Sequence, residues 1–164
     1  AGVLLPFRNT SLWLRTAAGH YFGSRDNPFS NFYFGGFGNN YIDHLSAHRY
    51  RETESLPGFR INEIGGRNFI KAVSELNLAA VRFRKLGFLA FYSTYFRLSF
   101  FGGGLLTNVD NSKWRKTYYS AGAQLDFELV LFSLLKSTLS FGYGRGAAPL
   151  RNPSNEFMIS LKII

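Results

Sequence analysis

Apolar and polar residues alternate with a period of two along most of this chain. The clearest run is Asn68 to Phe83. There Ile70, Ala72, Ser74, Leu76, Leu78 and Ala80 fall on one face, with Lys71, Glu75 and Asn77 on the other. Such alternation belongs to a β-strand with one apolar and one polar side. The run is about twice the usual strand length, long enough to cross a bilayer at a tilt.

Five more segments carry the same pattern. From Ser11 to Phe22, Leu12, Leu14 and Ala18 oppose Arg15 and Gly19. From Phe88 to about Phe101, Phe88, Ala90, Tyr92, Phe96, Leu98 and Phe100 oppose Ser93, Tyr95, Arg97 and Ser99. Thr117–Phe132 alternates most regularly, with Leu125, Phe127 and Leu129 opposed to Gln124, Asp126 and Glu128. A fifth segment sets Leu139, Phe141 and Tyr143 against Ser140, Gly142 and Gly144. A sixth carries Phe157, Ile159, Leu161 and Ile163 on one face. Residues 1–9, broken by Pro6 and Asn9, fit a strand end and a turn.

The connections are expected to alternate between long and short. A loop over about 24–67 holds Pro28, Pro57 and many Gly and Asn residues; its aromatics argue against disorder. Short turns are predicted at Arg84–Gly87 and Ser133–Lys136, and longer loops at Asn108–Lys116 and Ala147–Asn155. Bacterial outer-membrane barrels have this rhythm, whereas a soluble lipocalin-type barrel turns its apolar face inward. The expected fold is therefore all-β, an antiparallel transmembrane β-barrel with about six of its strands here. Six strands do not close around a lumen, and open edges are not tolerated in hydrocarbon. The remaining strands are expected from the same longer polypeptide or from other chains. Ala1 opens without a signal peptide, so an internal fragment is expected.

Composition agrees with this picture. Aromatics make up 18%, and a mean hydropathy of −0.07 suits strands with one lipid face and one lumenal face. The sequence has no apolar run of the length a membrane-spanning helix needs. The absence of cysteine excludes disulfide and thiolate chemistry. The net charge of +9 comes from scattered Lys and Arg, with clusters at Arg82-Arg84-Lys85 and Lys113-Arg115-Lys116. Both lie near strand ends, where they suit anionic head groups or lipopolysaccharide phosphates. No nucleic-acid recognition motif accompanies them, and no nucleic acid is expected as partner.

Candidate chemistry is sparse. His44, His48 and Glu52 recur at four-residue spacing beside Asp43, a pattern zinc ligands can take on a helix. The flanking chain is loop-like, so they are read as polar surface or lumen contacts, and no metal site is expected. Gly142, Gly144 and Gly146 lie within a strand and precede Pro149 rather than a helix, which excludes a phosphate loop. With Gly122 they form a smooth inner wall on which the long loop can pack. Asp126 and Glu128 alternate as lumen wall, no nucleophile–base pair stands out, and neither catalysis nor a cofactor is expected.

Several pieces in order resemble the C-terminal half of BamA/TamA-type barrels, the bacterial surface-antigen superfamily. Phe32-Tyr33-Phe34-Gly35-Gly36 opens the long loop, and Gly65-Gly66 precedes a strand carrying Ser74-Glu75-Leu76. Next comes a Phe-rich strand ending Ser99-Phe100-Phe101-Gly102-Gly103-Gly104, and last a terminal strand. The resemblance covers nearly the whole chain, residues 1–164, and marks a divergent branch. It implies a sixteen-stranded barrel in the outer membrane of a Gram-negative bacterium, with the long loop folded into the lumen. The implied role is protein assembly or translocation, or membrane anchoring of an upstream soluble domain. The implied partners are outer-membrane lipid, lipopolysaccharide and other outer-membrane proteins. The family's loop tip carries an Arg that contacts lumenal acid; here the tip is Leu56-Pro57-Gly58-Phe59, without it, and the family's Asp after the third strand's Phe is Gly102. Glu75 matches the lumenal acid. Arg60, then Arg67, are the replacements expected to pair with it, unless Arg60 lies outside against lipopolysaccharide. Phe157, Ile159, Leu161 and Ile163 mark the strand expected to close the barrel by pairing on both sides. Two other readings remain open: a complete small outer-membrane barrel with an adhesive or structural role, and a soluble ligand-binding β-protein.

Overall fold

A computed structural model describes residues 1–6, 9–22, 30–38, 48–88, 91–132 and 135–163. The fold is all-β. Its strands are β1 (Gly2–Leu4), β2 (Ser11–His20), β3 (Phe32–Phe34), β4 (Ile64–Gly66), β5 (Asn68–Asn77), β6 (Val81–Phe88), β7 (Phe91–Thr107), β8 (Lys116–Leu131), β9 (Leu135–Ala148) and β10 (Arg151–Ile163). Eight form one antiparallel sheet in the order β1-β2-β5-β7-β8-β9-β10, with β6 also paired to β7. Among the described residues the sheet is not closed: β1 and β10 end its order, and β6 pairs with β7 alone. The strand carrying Phe157, Ile159, Leu161 and Ile163 therefore pairs, among the described residues, on one side only, with β9.

Strand boundaries differ from the sequence expectation where punctuation residues mislead. The run from Asn68 to Phe83 is two strands. Asn77 pairs with Ser99 but Val81 with Phe96, so one extra residue is inserted between them. A single extra residue reverses which side the following side chains face. Val81 thus turns to the apolar side with Phe96, while Arg82 turns to the polar side with Tyr95. Arg84–Gly87, expected as a turn, continues β6. A second irregularity, between Ser93 and Tyr95, sets Tyr92 on the polar side opposite Val130, against the expected parity.

Gly102–Gly104 do not end their strand; β7 runs on to Thr107. Nor is Ala147–Asn155 a long loop. β9 reaches Ala148, only Pro149 and Leu150 turn the chain, and β10 begins at Arg151. Pro153 fits because it lies at a register shift on an edge strand, where no ladder donor is required. The expected rhythm of connections therefore fails at this last one.

The two faces of the sheet differ sharply. One is covered by the described part of the 30–67 segment. There β3 and β4 pair with each other, and Gly36 bridges Leu56. Phe34, Leu56, Phe59 and Ile64 from this segment bury against Phe69 and Leu105 of the sheet. Each such side chain contributes about 1.5–3 kcal/mol by leaving water. A second cluster joins Phe37 and Tyr50 to Phe101 and Met158. Among the described residues nothing covers the opposite face. Leu12, Leu14, Ile70, Phe100, Phe141, Phe157, Ile159, Leu161 and Ile163 all stand exposed there.

Candidate functional site

The covered face owes its chemistry to β-strand alternation. Odd positions of β2 and β5 point toward the segment, so Arg15, Lys71 and Glu75 converge beneath it. Glu75 is 1% exposed, too deep for an unpaired carboxylate. Arg51, on the 3-10 turn Arg49–Arg51, grips it with two prongs. Its Nε donates to Oε2 at 2.9 Å, and a second donor reaches Oε1. The Arg15 guanidinium donates to Oε2 at 2.6 Å. Two planar guanidiniums satisfy the carboxylate from both the loop and the wall.

Lys71 completes the anchor. Its ammonium donates to the carbonyls of Glu52 at 3.0 Å and Thr53 at 2.9 Å, and to that of Ser55. The Ser55 hydroxyl in turn donates to the carbonyls of Tyr50 and Glu52, tightening the turn. Tyr50 stacks on Phe101 with ring centres 4.3 Å apart. Burial raises its phenol well above the ordinary value, so it stays neutral.

Beside this anchor, His48 Nε2 lies 3.4 Å from Asp126 Oδ2. The other Asp126 oxygen accepts from Gln124 and from the Ser140 hydroxyl, each at 2.6 Å. Burial lowers the His48 imidazole's proton affinity, against the opposing pull of the Asp126 carboxylate.

The tip Leu56-Pro57-Gly58-Phe59 docks on the glycine wall. A Cβ at Gly144 would stand 2.5 Å from Pro57, one at Gly146 2.5 Å from Phe59, and one at Gly142 2.8 Å from Phe37. Ser120 donates to the Pro57 carbonyl at 2.6 Å, and Gly58 N–H donates to Glu156 at 2.9 Å. Glu156 also accepts from Phe37 N–H at 3.2 Å, while Ser154 donates to the Gly58 carbonyl.

Of the predicted site residues, Glu75 and the tip are at this interface, but the expected partners of Glu75 are not. Arg60 is exposed, and its N–H donates to Glu63 at 2.7 Å. Arg67 lies at the far end of the sheet, where its guanidinium donates to the Tyr21 carbonyl. Neither reaches Glu75; Arg15 and Arg51 hold it instead. The reason is direction: the chain turns away after Phe59 toward β4, whereas Arg51 precedes the tip and lies over β5. Alternation on β2 already put Arg15 on the inner side; no sequence signal marked Arg51. Of the residues at the four-residue spacing, His48 faces Asp126 and the Glu52 carbonyl accepts from Lys71. Asp43 and His44 lie outside the described residues.

The arrangement is chemically a docking site, in which ionic anchors and a glycine groove hold one segment of chain against a sheet. No family model, curated protein or solved structure matches the chain.

Proposed function

We propose that this chain forms part of the wall of an outer-membrane β-barrel, with the 30–67 segment lying in the lumen as in BamA/TamA-type proteins. The role proposed is protein assembly or translocation, or anchoring of a soluble domain. The observation that carries the reading is the pairing of a bare face rich in large apolar side chains with a polar face sealed by a loop. An apolar patch of that extent is a liability in water and a requirement in lipid. Strands of 13 to 17 residues in β7, β8, β9 and β10 are ample for a tilted span. The unpaired outer edges of β1 and β10 call for further strands, which favours a larger barrel over a complete small one. Neighbouring strands, outer-membrane lipid and lipopolysaccharide are the partners this reading implies.

Because the chain contains no cysteine, single cysteines report cleanly. Cysteines at Ile70, Phe141 and Ile159 should resist a membrane-impermeant maleimide in vesicles, while one at Leu150 in the β9–β10 turn reacts. Equal labelling at all four positions would refute the membrane reading.

A further inference from the structure

We propose that a basic cavity on the covered face is a binding site for a phosphate-bearing anion. The cavity, about 450 Å³, is lined by Arg15, Arg51, Arg82 and Arg97 together with Trp13 and Asn77, and among the described residues no Asp or Glu lines it. It lies at the end of the sheet away from β3 and β4.

Its charge is not balanced locally. Glu75 bonds to Arg15 and Arg51 together and so accounts for one of the four positive charges. Arg97 faces Asp126 across the β7–β8 ladder, and that carboxylate, contacted by Gln124, Ser140 and His48, offsets one further positive charge. The Arg97 guanidinium also stands 5.9 Å over the Tyr95 ring. Arg82 is exposed and has no ion pair among the described residues.

Arg82 is present here because of the inserted residue between β5 and β6. With unbroken parity it would point to the apolar side. Four guanidiniums against the two carboxylates Glu75 and Asp126 leave two positive charges around one cavity, which match a phosphate that accepts several forked donors. Asn77 supplies a neutral polar group. Arg15 also stands 5.3 Å over the Trp13 ring, which places a fluorescent side chain at the cavity wall.

The test uses inorganic pyrophosphate titrated into the intact protein in maltoside detergent. A Trp114→Phe background leaves Trp13 as the sole tryptophan, and calorimetry provides a second readout. Saturable binding that weakens with added salt is expected. Arg82→Gln with Arg97→Gln should reduce affinity about ten-fold or more, and Arg115→Gln, remote from the cavity, should not. Because Arg82 is exposed, Arg82→Gln alone keeps the test usable if the double variant misfolds; it should still weaken binding several-fold. Repeating the titration in bilayers of phosphatidylcholine with and without phosphatidylglycerol separates two sources of the anion. Competition by phosphatidylglycerol identifies a lipid head group, and its absence a soluble phosphate. Lack of saturable binding by folded protein, or equal binding by the arginine variants, would overturn the proposal. Neither outcome depends on the cysteine labelling that tests the membrane reading.

Discussion

Arg51 and Glu75, 24 positions apart in the chain, form a two-pronged ion pair that ties the covering segment to the sheet. Arg15 approaches the same carboxylate from β2, so one buried acid joins two strands and a loop. Removing the carboxylate leaves two guanidiniums facing each other. Glu75→Gln should therefore destabilise the docked segment by about 2 kcal/mol, below the roughly 3–5 kcal/mol of a fully buried pair, because both arginines keep some solvent contact. Limited proteolysis within 30–67 would show it. Arg51→Lys should recover only part of the protection, since an ammonium lacks the fork. Unchanged protection in Glu75→Gln would mean that the apolar clusters alone hold the segment.

The glycine wall should be intolerant in a position-specific way. Gly58 has φ +94°, and a Cβ there would stand 2.0 Å from the Gly146 nitrogen. At Gly144 the added atom would meet Pro57 at 2.5 Å. Gly102, in contrast, has nothing nearer than 3.8 Å. Gly58→Ala and Gly144→Ala should each release the tip at a cost of about 1–3 kcal/mol, and Gly102→Ala should be nearly silent. Thermal unfolding in detergent can rank the three, and a ranking led by Gly102→Ala would contradict the docking geometry.

Lipid exposure predicts another contrast. Ile159 on β10 is 74% exposed on the bare face. Arginine there should cost about 2–4 kcal/mol if the position lies near the bilayer midplane. Thr138, on the covered side of β9 opposite Glu128, should accept arginine with little change. Gln124 is no such neutral control: although it lies on the inner side, it is fully buried and hydrogen-bonded to Asp126. Denaturant midpoints in lipid vesicles would separate the cases, and equal costs at Ile159 and Thr138 would argue against a lipid-facing surface.

Docking should also depend on pH through His48. Burial holds its imidazole below the ordinary value, with Asp126 and Glu75 pulling upward and Arg51 and Arg97 downward. The undocked loop therefore takes up the proton first. Docking should be strongest above about pH 6.5 and weaken as pH falls through that value, levelling off below the lower docked value. His48→Gln should flatten the dependence. Protection from protease that instead rises on acidification would mean the ion pair with Asp126 outweighs burial.

The alternation of side chains was legible in the residues themselves, because a strand repeats every two positions and each face meets one environment. That alone placed Glu75, Lys71, Gln124 and Asp126 on one side and Ile70, Phe127 and Ile159 on the other. It also marked Gly122, Gly142 and Gly144 as a wall that a loop could approach. What it could not carry was register. The inserted residue between Asn77 and Val81 follows from pairing with β7, and nothing in Leu78-Ala79-Ala80 announces it. Gly102–Gly104 resemble a strand break locally, yet the neighbouring strands hold β7 past them, and β9 runs through Ala147 to a two-residue turn at Pro149 and Leu150. Arg51 illustrates the same limit at the site. A charged residue in an irregular segment has no period to reveal its direction, and only the packing of Tyr50, Leu56 and Phe59 sets it over Glu75.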